Sequence, residues 1–234
     1  IVRRFINIKE WLSHSFFVLV FSKGMFKVEK HFAVIGEPIE HSLSPWMHNA
    51  GYRALEIEAE YQRFQVEAGR LAEGIKGLCA LGFSGWNVTI PHKEAIIPYL
   101  DSLTPQAKRA RAVNTVKYQE GQLIGHNTDG DGFIRSVEND LGGFAGKKGV
   151  LLGAGGAAKG IALALAGQGM ELKILNRTPE KAADLAKLIL EEGGKAAWGE
   201  FAPGEWLEST DLLVQTTSIG LRRESFPFSL EGIS

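Results

Sequence analysis

The sequence is poor in cysteine, in excess charge of either sign and in long apolar runs. Cys79 is the single cysteine among 234 residues, which excludes an internal disulfide and fits a reducing, cytoplasmic compartment. The formal net charge is −1, so the sequence does not indicate the basic surface of a nucleic-acid-binding protein. The apolar run FFVLVF near the N-terminus is too short to span a bilayer, and no membrane association is expected.

The first residues do not match a signal peptide either. The apolar stretch is short, and no small-residue cleavage pattern follows it before Lys23. The chain also begins with Ile1 instead of methionine. We therefore expect residues 1–24 to be a non-native or disordered extension, with the natural start at Met25.

Several motifs of other enzyme classes are missing. His41 and His48 have no partners at metal-ligand spacing, so no metal is predicted and both histidines are interpreted as structural or surface residues. Neither a G-x-S-x-G elbow nor a Walker A loop is present. These absences count against a hydrolase or a P-loop kinase.

The first half of the chain shows strand and helix patterns in alternation, which predicts an α/β domain with a mostly parallel sheet. A hairpin is predicted to turn at Glu120 and Gly121, and Ser44 is predicted to cap the first helix. The strand in GWNVTI is expected to run from Trp86 to Ile90. The other predicted strands are HFAVIG and AEYQRFQV, and the predicted helices are SPWMHNAGYRAL, GRLAEGIKGLCALG and TPQAKRARA.

A helix over residues 131–141, DGFIRSVENDL, lies near the predicted domain boundary. We expect a substrate-binding catalytic domain over residues 25–128, a linker helix region over 129–146, and a Rossmann-type dinucleotide-binding domain over 147–234. A doubly wound sheet needs more strands than the remaining residues supply. The second domain is therefore expected to be truncated at its C-terminus.

The second domain opens with a glycine fingerprint, G-x-G-x-x-[GA], between a buried strand and a helix. Gly153 permits the tight turn, Gly155 lets the backbone approach a pyrophosphate, and Ala158 permits close packing of helix on strand. Amide groups at the helix start would face the phosphates. The predicted dinucleotide loop is Gly153, Ala154, Gly155, Gly156, Ala157 and Ala158.

The end of the next strand favours NADP over NAD. An NAD site usually carries an acidic residue there to hold the ribose 2′-hydroxyl, whereas this chain has Asn176, Arg177 and Thr178. Arg177 suits a 2′-phosphate, and Lys181, one turn into the following helix, adds positive charge nearby. The alternative for Arg177 is a solvated surface arginine.

Polar side chains recur near the predicted strand ends of the first domain. Lys93 follows the strand that carries Asn87 and Thr89, Asn114 lies in RAVNTV, and Asp129 lies in HNTDGDG. Ligands of α/β proteins bind at strand ends. A lysine, a carboxylate and several amides there would suit a small polyhydroxylated ligand, although Lys93 alone could be an exposed helix-start lysine.

The first loop adds a candidate carboxylate site. Ser42 and Ser44 precede a helix, and hydroxyls combined with helix N–H groups can hold a carboxylate. Simple capping by Ser44 is the alternative.

These segments together resemble the shikimate dehydrogenase family. The resemblance implies NADPH-dependent, reversible reduction of 3-dehydroshikimate to shikimate, a reaction of aromatic amino acid biosynthesis, by a monomer or homodimer. It extends from about Met25 to Leu221. The matching segments, in family order, are GEPIEHSLSPWMHN, GWNVTIPHKE, RAVNTV, GHNTDGDGF, LLGAGGAAKGI, LNRT and QTTSIGL.

The resemblance also implies residue roles. Lys93 and Asp129 would form the catalytic pair, with Lys93 polarising the ketone and donating a proton. Ser42 and Ser44 would hold the substrate carboxylate. The remaining assignments are Asn87, Thr89, Asn114 and Asp129 to ring hydroxyls, and the dinucleotide loop, Asn176, Arg177, Thr178, Lys181 and Thr216 to the cofactor.

The chain departs from the family at three places, and rival functions remain. Lys159 stands after the glycine loop where the family often has arginine, and both residues favour a phosphate. Gln215 stands where the family commonly has asparagine, and the family's substrate-contacting tyrosine and glutamine would lie beyond Ser234. One rival is a quinate/shikimate dehydrogenase with broader cofactor or substrate use. The others are a methylene-tetrahydrofolate dehydrogenase and a non-catalytic ligand-binding homologue.

Overall fold

The structure, a computed structural model, describes residues 30–202, 204, 209–217 and 219. The extension predicted over residues 1–24, the start at Met25 and the truncated end of the second domain lie outside the described residues. Within these ranges, every helix is too short or too polar to cross a lipid bilayer.

The first domain is built on a six-stranded mixed sheet with the order β2-β1-β3-β5-β6-β4. Three of its five strand pairings are parallel, and the pairings β3/β5 and β5/β6 are antiparallel. The elements are β1 (Lys30–Gly36), α1 (Ser44–Ala54), β2 (Ala59–Gln65), α2 (Leu71–Ala80), β3 (Phe83–Val88), α3 (His92–Ala95), β4 (Ser102–Leu103), α4 (Pro105–Ala110), β5 (Thr115–Gln119) and β6 (Gln122–His126).

The second domain is built on a four-stranded parallel sheet with the order β10-β7-β8-β9. This arrangement matches the first four strands of a doubly wound nucleotide-binding sheet, so the predicted α/β class is confirmed. Helix α5 (Asp129–Leu141) leads into this domain, whose elements are β7 (Lys148–Leu152), α6 (Gly156–Gly167), β8 (Glu171–Asn176), α7 (Pro179–Glu191), β9 (Lys195–Glu200) and β10 (Leu212–Gln215).

Two predicted details of the first domain are wrong. Ser44 is the first residue of α1 instead of its N-cap, which is Leu43. The side chain of Ser42 accepts the Ser44 N–H at 3.3 Å, so the neighbouring serine satisfies this helix-start donor. β3 ends at Val88 and not at Ile90, because the Thr89 carbonyl already accepts a turn hydrogen bond from the His92 N–H at 2.9 Å.

The sequence patterns also miss short or weakly patterned elements. The four-residue α3 and two-residue β4 are too short to show periodicity. β9, with the sequence KAAWGE, lies at the sheet edge with most of its residues exposed, so it carries no apolar run. α5 begins at Asp129, two residues before the predicted start, because the Asn127 side chain accepts the Asp129 N–H at 3.0 Å.

The two sheets each support a separate hydrophobic core. In the first domain the core lies between the sheet and α2, and it includes Ile35, Trp86 and Ile96. In the second domain α6 and α7 pack against the parallel sheet around Leu165, Ile174 and further buried side chains.

Helices α5 and α6 approach closely at a pair of glycines. A Cβ atom on Gly130 would lie 2.5 Å from the Gly160 carbonyl oxygen and 2.7 Å from the Ala164 Cβ. A Cβ atom on Gly160 would lie 2.8 Å from Oδ1 of Asn127. These contacts hold the start of α5, and with it Asp129, against the nucleotide-binding domain.

We predict that Gly130→Ala destabilises the protein by about 1–3 kcal/mol, because the added methyl group overlaps main-chain atoms of α6. Gly132→Ala on the same helix is the matched control, since nothing lies within 4 Å of its Cβ position. Alanine there should raise the free energy of unfolding by up to about 1 kcal/mol. Urea denaturation of both variants measures the difference, and equal stabilities would refute the close contact.

Candidate active site

The centre of the site is an ion pair between Lys93 and Asp129. Nζ of Lys93 lies 2.6 Å from Oδ2 of Asp129, and the two side chains are 14% and 18% exposed. Lys93 lies on α3 just after β3, and its carbonyl accepts the Val113 N–H at 2.7 Å. Asp129 is the first residue of α5. The fold thus joins two predicted catalytic residues that are far apart in sequence.

Asn114 donates a hydrogen bond to the other oxygen of the Asp129 carboxylate. Its buried amide donates to Oδ1 of Asp129 at 2.7 Å and to the Thr128 hydroxyl at 2.9 Å. Both carboxylate oxygens therefore accept a hydrogen bond, which fixes the orientation of the carboxylate.

Asn87 joins this cluster from the neighbouring strand. Its amide donates to the Asn114 carbonyl and to the Thr115 hydroxyl, both at 3.1 Å. The antiparallel register of β3 and β5 places Asn87 directly opposite Thr115. Asn87, Asn114, Asp129 and Lys93 consequently form one connected group.

The structure does not connect Ser42, Ser44 or Thr89 to that group by hydrogen bonds between described side chains. The hydroxyl groups of Ser44 and Thr89 have no partner among the described residues, and the Ser42 hydroxyl accepts only the Ser44 N–H. These hydroxyl groups can therefore donate to a ligand.

An indirect connection does tie the serine-bearing helix to the cluster. On α1, the Asn49 side chain donates to the Tyr61 carbonyl at 2.8 Å and accepts the Tyr61 N–H at 2.9 Å. The Tyr61 hydroxyl then donates to Oδ1 of Asn87 at 2.6 Å. Helix α1 and the Asn87 amide are thus held by the same residue of β2.

The glycine loop has the backbone shape that a dinucleotide needs. Gly153 has φ +113°, a left-handed value that favours glycine. Gly155 precedes α6, and nothing lies within 4 Å of its Cβ position, so a phosphate could approach the backbone there. Ala158, in the first turn of α6, is fully buried. Ala154 and Ala157 complete the loop, which fits a pyrophosphate at a helix N-terminus.

Two contacts place this loop relative to other predicted residues. A Cβ atom on Gly156 would lie 2.9 Å from the Lys93 Cβ, so the loop lies directly against the lysine. The Thr216 hydroxyl donates to the Leu152 carbonyl at 2.8 Å, which fastens the end of β10 beside Gly153.

The residues after β8 present a cationic surface. Arg177, Thr178 and Lys181 are exposed, and neither cation forms an ion pair with a described residue. The Asn176 amide donates to the Thr178 carbonyl at 2.9 Å, which shapes the turn into α7. These residues fit a 2′-phosphate.

Lys159 was expected to favour the binding of a phosphate, but in the structure it forms an ion pair with an acidic side chain. Its Nζ lies 2.7 Å from Oε2 of Glu94, next to Lys93 on α3. This ion pair joins the second domain to the first. A weaker pair at 3.7 Å joins Arg111 to Glu191 across the same boundary.

Sequence reasoning missed Tyr61, Thr115, Asn127 and Thr128. Asn127 is buried and donates to the Ala112 carbonyl at 3.0 Å, and Thr128 donates its N–H to Oδ1 of Asn114 at 3.0 Å. Both lie in the HNTDGDG segment beside Asp129, so the segment itself was an available signal. Tyr61 could have been suspected only from the alternation of β2, which buries it.

A cavity of about 590 Å³ lies elsewhere, between α4, α5, α6 and the end of α7, and none of the predicted site residues lines it. Across the described ranges, no three His, Cys, Asp or Glu side chains cluster in a way that could hold a metal ion. The connected polar group beside the glycine loop is therefore the candidate site.

Comparison with known proteins shows to which family the chain belongs. Residues 34–116 match the model of the shikimate dehydrogenase substrate binding domain, and residues 135–218 match that of shikimate / quinate 5-dehydrogenase. A curated shikimate dehydrogenase (NADP(+)) of Desulfitobacterium hafniense strain Y51 is 61% identical over 204 residues, which are 87% of this chain and 75% of that protein.

Solved structures agree with the sequence comparison. Shikimate dehydrogenase from Aquifex aeolicus aligns with a TM-score of 0.79 and 36% identity, over 87% of this chain and 73% of that one. Shikimate 5-dehydrogenase from Thermus thermophilus, in complex with NADP(H) and shikimate, aligns with a TM-score of 0.71 and 38% identity, over 82% and 70%. On these matches, which bear out the resemblance of the motifs, the chain belongs to the shikimate dehydrogenase family.

Proposed function

We propose that this protein catalyses the NADPH-dependent, reversible reduction of 3-dehydroshikimate to shikimate. The observation that carries the proposal is the shielded pair of Lys93 and Asp129, 2.6 Å apart and directly against the glycine loop at Gly156. The curated relative that is 61% identical carries the name of this activity.

Lys93 is the proton donor in this proposal. Reduction of a ketone places negative charge on its oxygen, which a neighbouring ammonium group stabilises and then protonates. The proton leaves Nζ of Lys93 for the new hydroxyl group, and the resulting amine takes up a proton from water. In shikimate oxidation the same proton moves in the opposite direction.

Asp129 orients the lysine and contacts the substrate hydroxyl. Its carboxylate accepts Nζ of Lys93 on one oxygen and the Asn114 amide on the other. This arrangement prevents the ammonium from rotating away from the cleft. Pre-organised groups of this kind lower the barrier because they need no reorganisation during the reaction.

The remaining polar groups of the first domain bind the substrate. Ser42 and Ser44 hold the carboxylate, since both hydroxyl groups can donate near the start of α1. The ring hydroxyl groups are bound by Asn87, Thr89 and Asn114. We assign residues 25–128 to this substrate domain, 129–146 to the linker helix region and 147–234 to the cofactor domain.

The second domain binds NADP. When bound, the nicotinamide supplies the hydride for the ketone carbon. The loop from Gly153 to Ala158 holds the pyrophosphate, and Arg177 and Lys181 bind the 2′-phosphate, with Asn176 and Thr178 shaping the turn between them. Thr216 supports the loop from β10.

The proposed cellular location rests on the cysteine content, and the proposed assembly state rests on which chain supplies the site residues. The single cysteine, Cys79, fits a cytoplasmic location. A monomer or a homodimer would each leave the site within one chain, because the lysine, the carboxylate and the glycine loop all come from the same chain.

Steady-state oxidation of shikimate, followed by absorbance of the reduced nicotinamide with NADP⁺ and NAD⁺ in parallel, tests the function. Turnover with NADP⁺ well above that with NAD⁺ supports the proposal. Quinate in place of shikimate tests the broader quinate/shikimate activity, and binding of shikimate without turnover would support the non-catalytic alternative.

We predict that Lys93→Ala lowers kcat by about 10²- to 10⁴-fold, because the proton donor is lost. Binding of NADPH, measured by fluorescence titration, should stay near the wild-type value. Lys117→Ala, an exposed lysine on β5, is the control and should leave both quantities unchanged. Turnover of Lys93→Ala within a few-fold of wild type would end the proton-donor assignment.

We predict that Arg177→Ala weakens NADPH binding by about 10- to 100-fold, the value of a charge-assisted hydrogen bond to phosphate. NADH binding should change little, because NADH lacks the 2′-phosphate. The exposed Arg70, which pairs with Glu73 in the first domain, supplies the control substitution Arg70→Ala. Equal losses for both dinucleotides would refute the 2′-phosphate role.

We predict that alanine at the two central loop glycines has separable effects. Gly156→Ala should lower kcat by about tenfold, because its methyl group would displace Lys93. Gly155→Ala should raise the KM for NADPH with kcat near wild type. Its Cβ position faces open space in the protein, and the added methyl group would occupy the space through which the phosphate approaches the backbone. Each variant is the control for the other in the same assay, and identical kinetic changes would contradict the contact with Lys93.

A further inference from the structure

Two hydroxyl groups take part in the site although neither belongs to the predicted set. The Tyr61 hydroxyl donates to Oδ1 of Asn87 at 2.6 Å. The Thr115 hydroxyl accepts from Nδ2 of Asn87 at 3.1 Å and donates to Oδ1 of Asn114 at 2.9 Å. Each hydroxyl group therefore contacts an amide that the proposed function assigns to the substrate.

These contacts form one continuous series. The Asn114 amide donates to Oδ1 of Asp129 at 2.7 Å, and Lys93 donates to the other carboxylate oxygen. We call the series Tyr61, Asn87, Thr115, Asn114 and Asp129 the donor chain. In it, every side chain donates a hydrogen bond to the next one, and the last acceptor is the carboxylate beside the catalytic lysine.

The direction of these hydrogen bonds is determined by groups that can only donate or can only accept. An ionised Asp129 can only accept, so the amino group of Asn114 must face it. The Asn114 oxygen then faces Thr128, whose main-chain N–H can only donate, at 3.0 Å. The Asn114 carbonyl can only accept, and it receives the amino group of Asn87 at 3.1 Å. Thr115 and Tyr61 must therefore each donate toward the carboxylate.

The fold holds both hydroxyl groups in place. Thr115 lies directly opposite Asn87 in the register of β5 and β3. Tyr61 is 3% exposed, its main chain is bonded twice to Asn49, and its ring stacks on His48 at a centroid distance of 4.2 Å. Neither side chain can leave the donor chain without disturbing packed neighbours.

Burial keeps Tyr61 in its donating form. Removal from water raises the pKa of Tyr61 above its ordinary value, and the nearby Tyr52 phenol raises it further. The hydroxyl group therefore carries its proton throughout the neutral and mildly alkaline range. Burial also lowers the pKa of His48, whose ring stacks on Tyr61.

We propose that Tyr61 and Thr115 are positioning residues, whose hydroxyl groups hold the Asn87 and Asn114 amides in place through the donor chain that ends on Asp129. The inference rests on the proposed function, because it concerns the groups that bind and reduce the ketone. Neither residue contacts the substrate itself.

The physical reason lies in the two faces of an amide. If Asn87 or Asn114 turned over, its oxygen would replace its amino group, and two acceptors would then face each other, at the Asn114 main-chain carbonyl or at the Asp129 carboxylate. Asp129, the Thr128 N–H and the Asn114 main-chain carbonyl disfavour that rotation. The Tyr61 and Thr115 hydroxyl groups add hydrogen bonds that limit the motion of the two amides. Loss of one such hydrogen bond is expected to change a kinetic constant by about tenfold.

Thr115→Val tests the central link, because valine keeps the shape and removes the hydroxyl group. We predict about a tenfold lower kcat/KM for shikimate, with both kcat and KM affected, since Asn114 also holds Asp129. Thr115→Ser restores the hydroxyl group and should return both constants to within twofold of wild type. Failure of serine to rescue would show that the methyl group, and not the hydrogen bond, matters.

Tyr61→Phe tests the first link. It should raise the KM for shikimate by about tenfold with little change in kcat, because it frees only Asn87. Tyr52→Phe is the matched control: Tyr52 contacts Phe32 and His48 with its ring, and its hydroxyl group has no partner among the described residues. The control should behave as wild type, and urea denaturation should show all variants folded.

A measurement without turnover separates this inference from the proposed function. In NMR spectra of the substrate-free protein, the side-chain amide protons of Asn87 and Asn114 should exchange with water at least about tenfold faster in Thr115→Val than in wild type. If the wild-type chain oxidises no shikimate, the proposed function fails while this result still decides the inference. Unchanged amide exchange, or wild-type kinetic constants in a folded Thr115→Val, would overturn it.

Discussion

The ion pair between Lys93 and Asp129 is the interaction on which the rest of the site depends. An ammonium group withdrawn from water is costly unless a charged partner compensates for the lost hydration. Asp129 supplies that compensation at 2.6 Å, and Asn114 satisfies its second oxygen. The pair forms where α3 meets the start of α5, so the site that we propose depends on the packing of these two helices.

Glycine residues allow these parts of the two domains to approach each other closely. Gly130 and Gly160 let α5 and α6 approach, and Gly156 lets the dinucleotide loop lie against Lys93. Glu94 pairs with Lys159 across the same boundary. The glycines of the fingerprint therefore serve two purposes: Gly153 and Gly155 give the loop the backbone shape that suits a pyrophosphate, whereas Gly156 leaves room for Lys93 of the other domain.

The two amides of the site are oriented by neighbouring groups that can only donate or can only accept. Asp129 and the Thr128 N–H set the orientation of the Asn114 amide, and the Asn114 main-chain carbonyl sets that of the Asn87 amide. These side chains form one network of hydrogen bonds, in which the Asn87 and Asn114 amides each have a defined orientation. Aligned hydrogen bonds also strengthen one another.

The sequence alone was sufficient for the α/β class, the glycine loop and the family, because these depend on local periodicity and on residues adjacent in the chain. The sequence also predicted Lys93 and Asp129 as site residues, from motifs near the ends of predicted strands. It could not find β9, which has no apolar run, or the true cap of α1, which depends on the Ser42 side chain. Tertiary structure alone decided that Lys159 pairs with Glu94, and that Tyr61 and Thr115 contact Asn87. Those contacts depend on strand register and domain packing, which bring together residues whose spacing in the chain carries no signal.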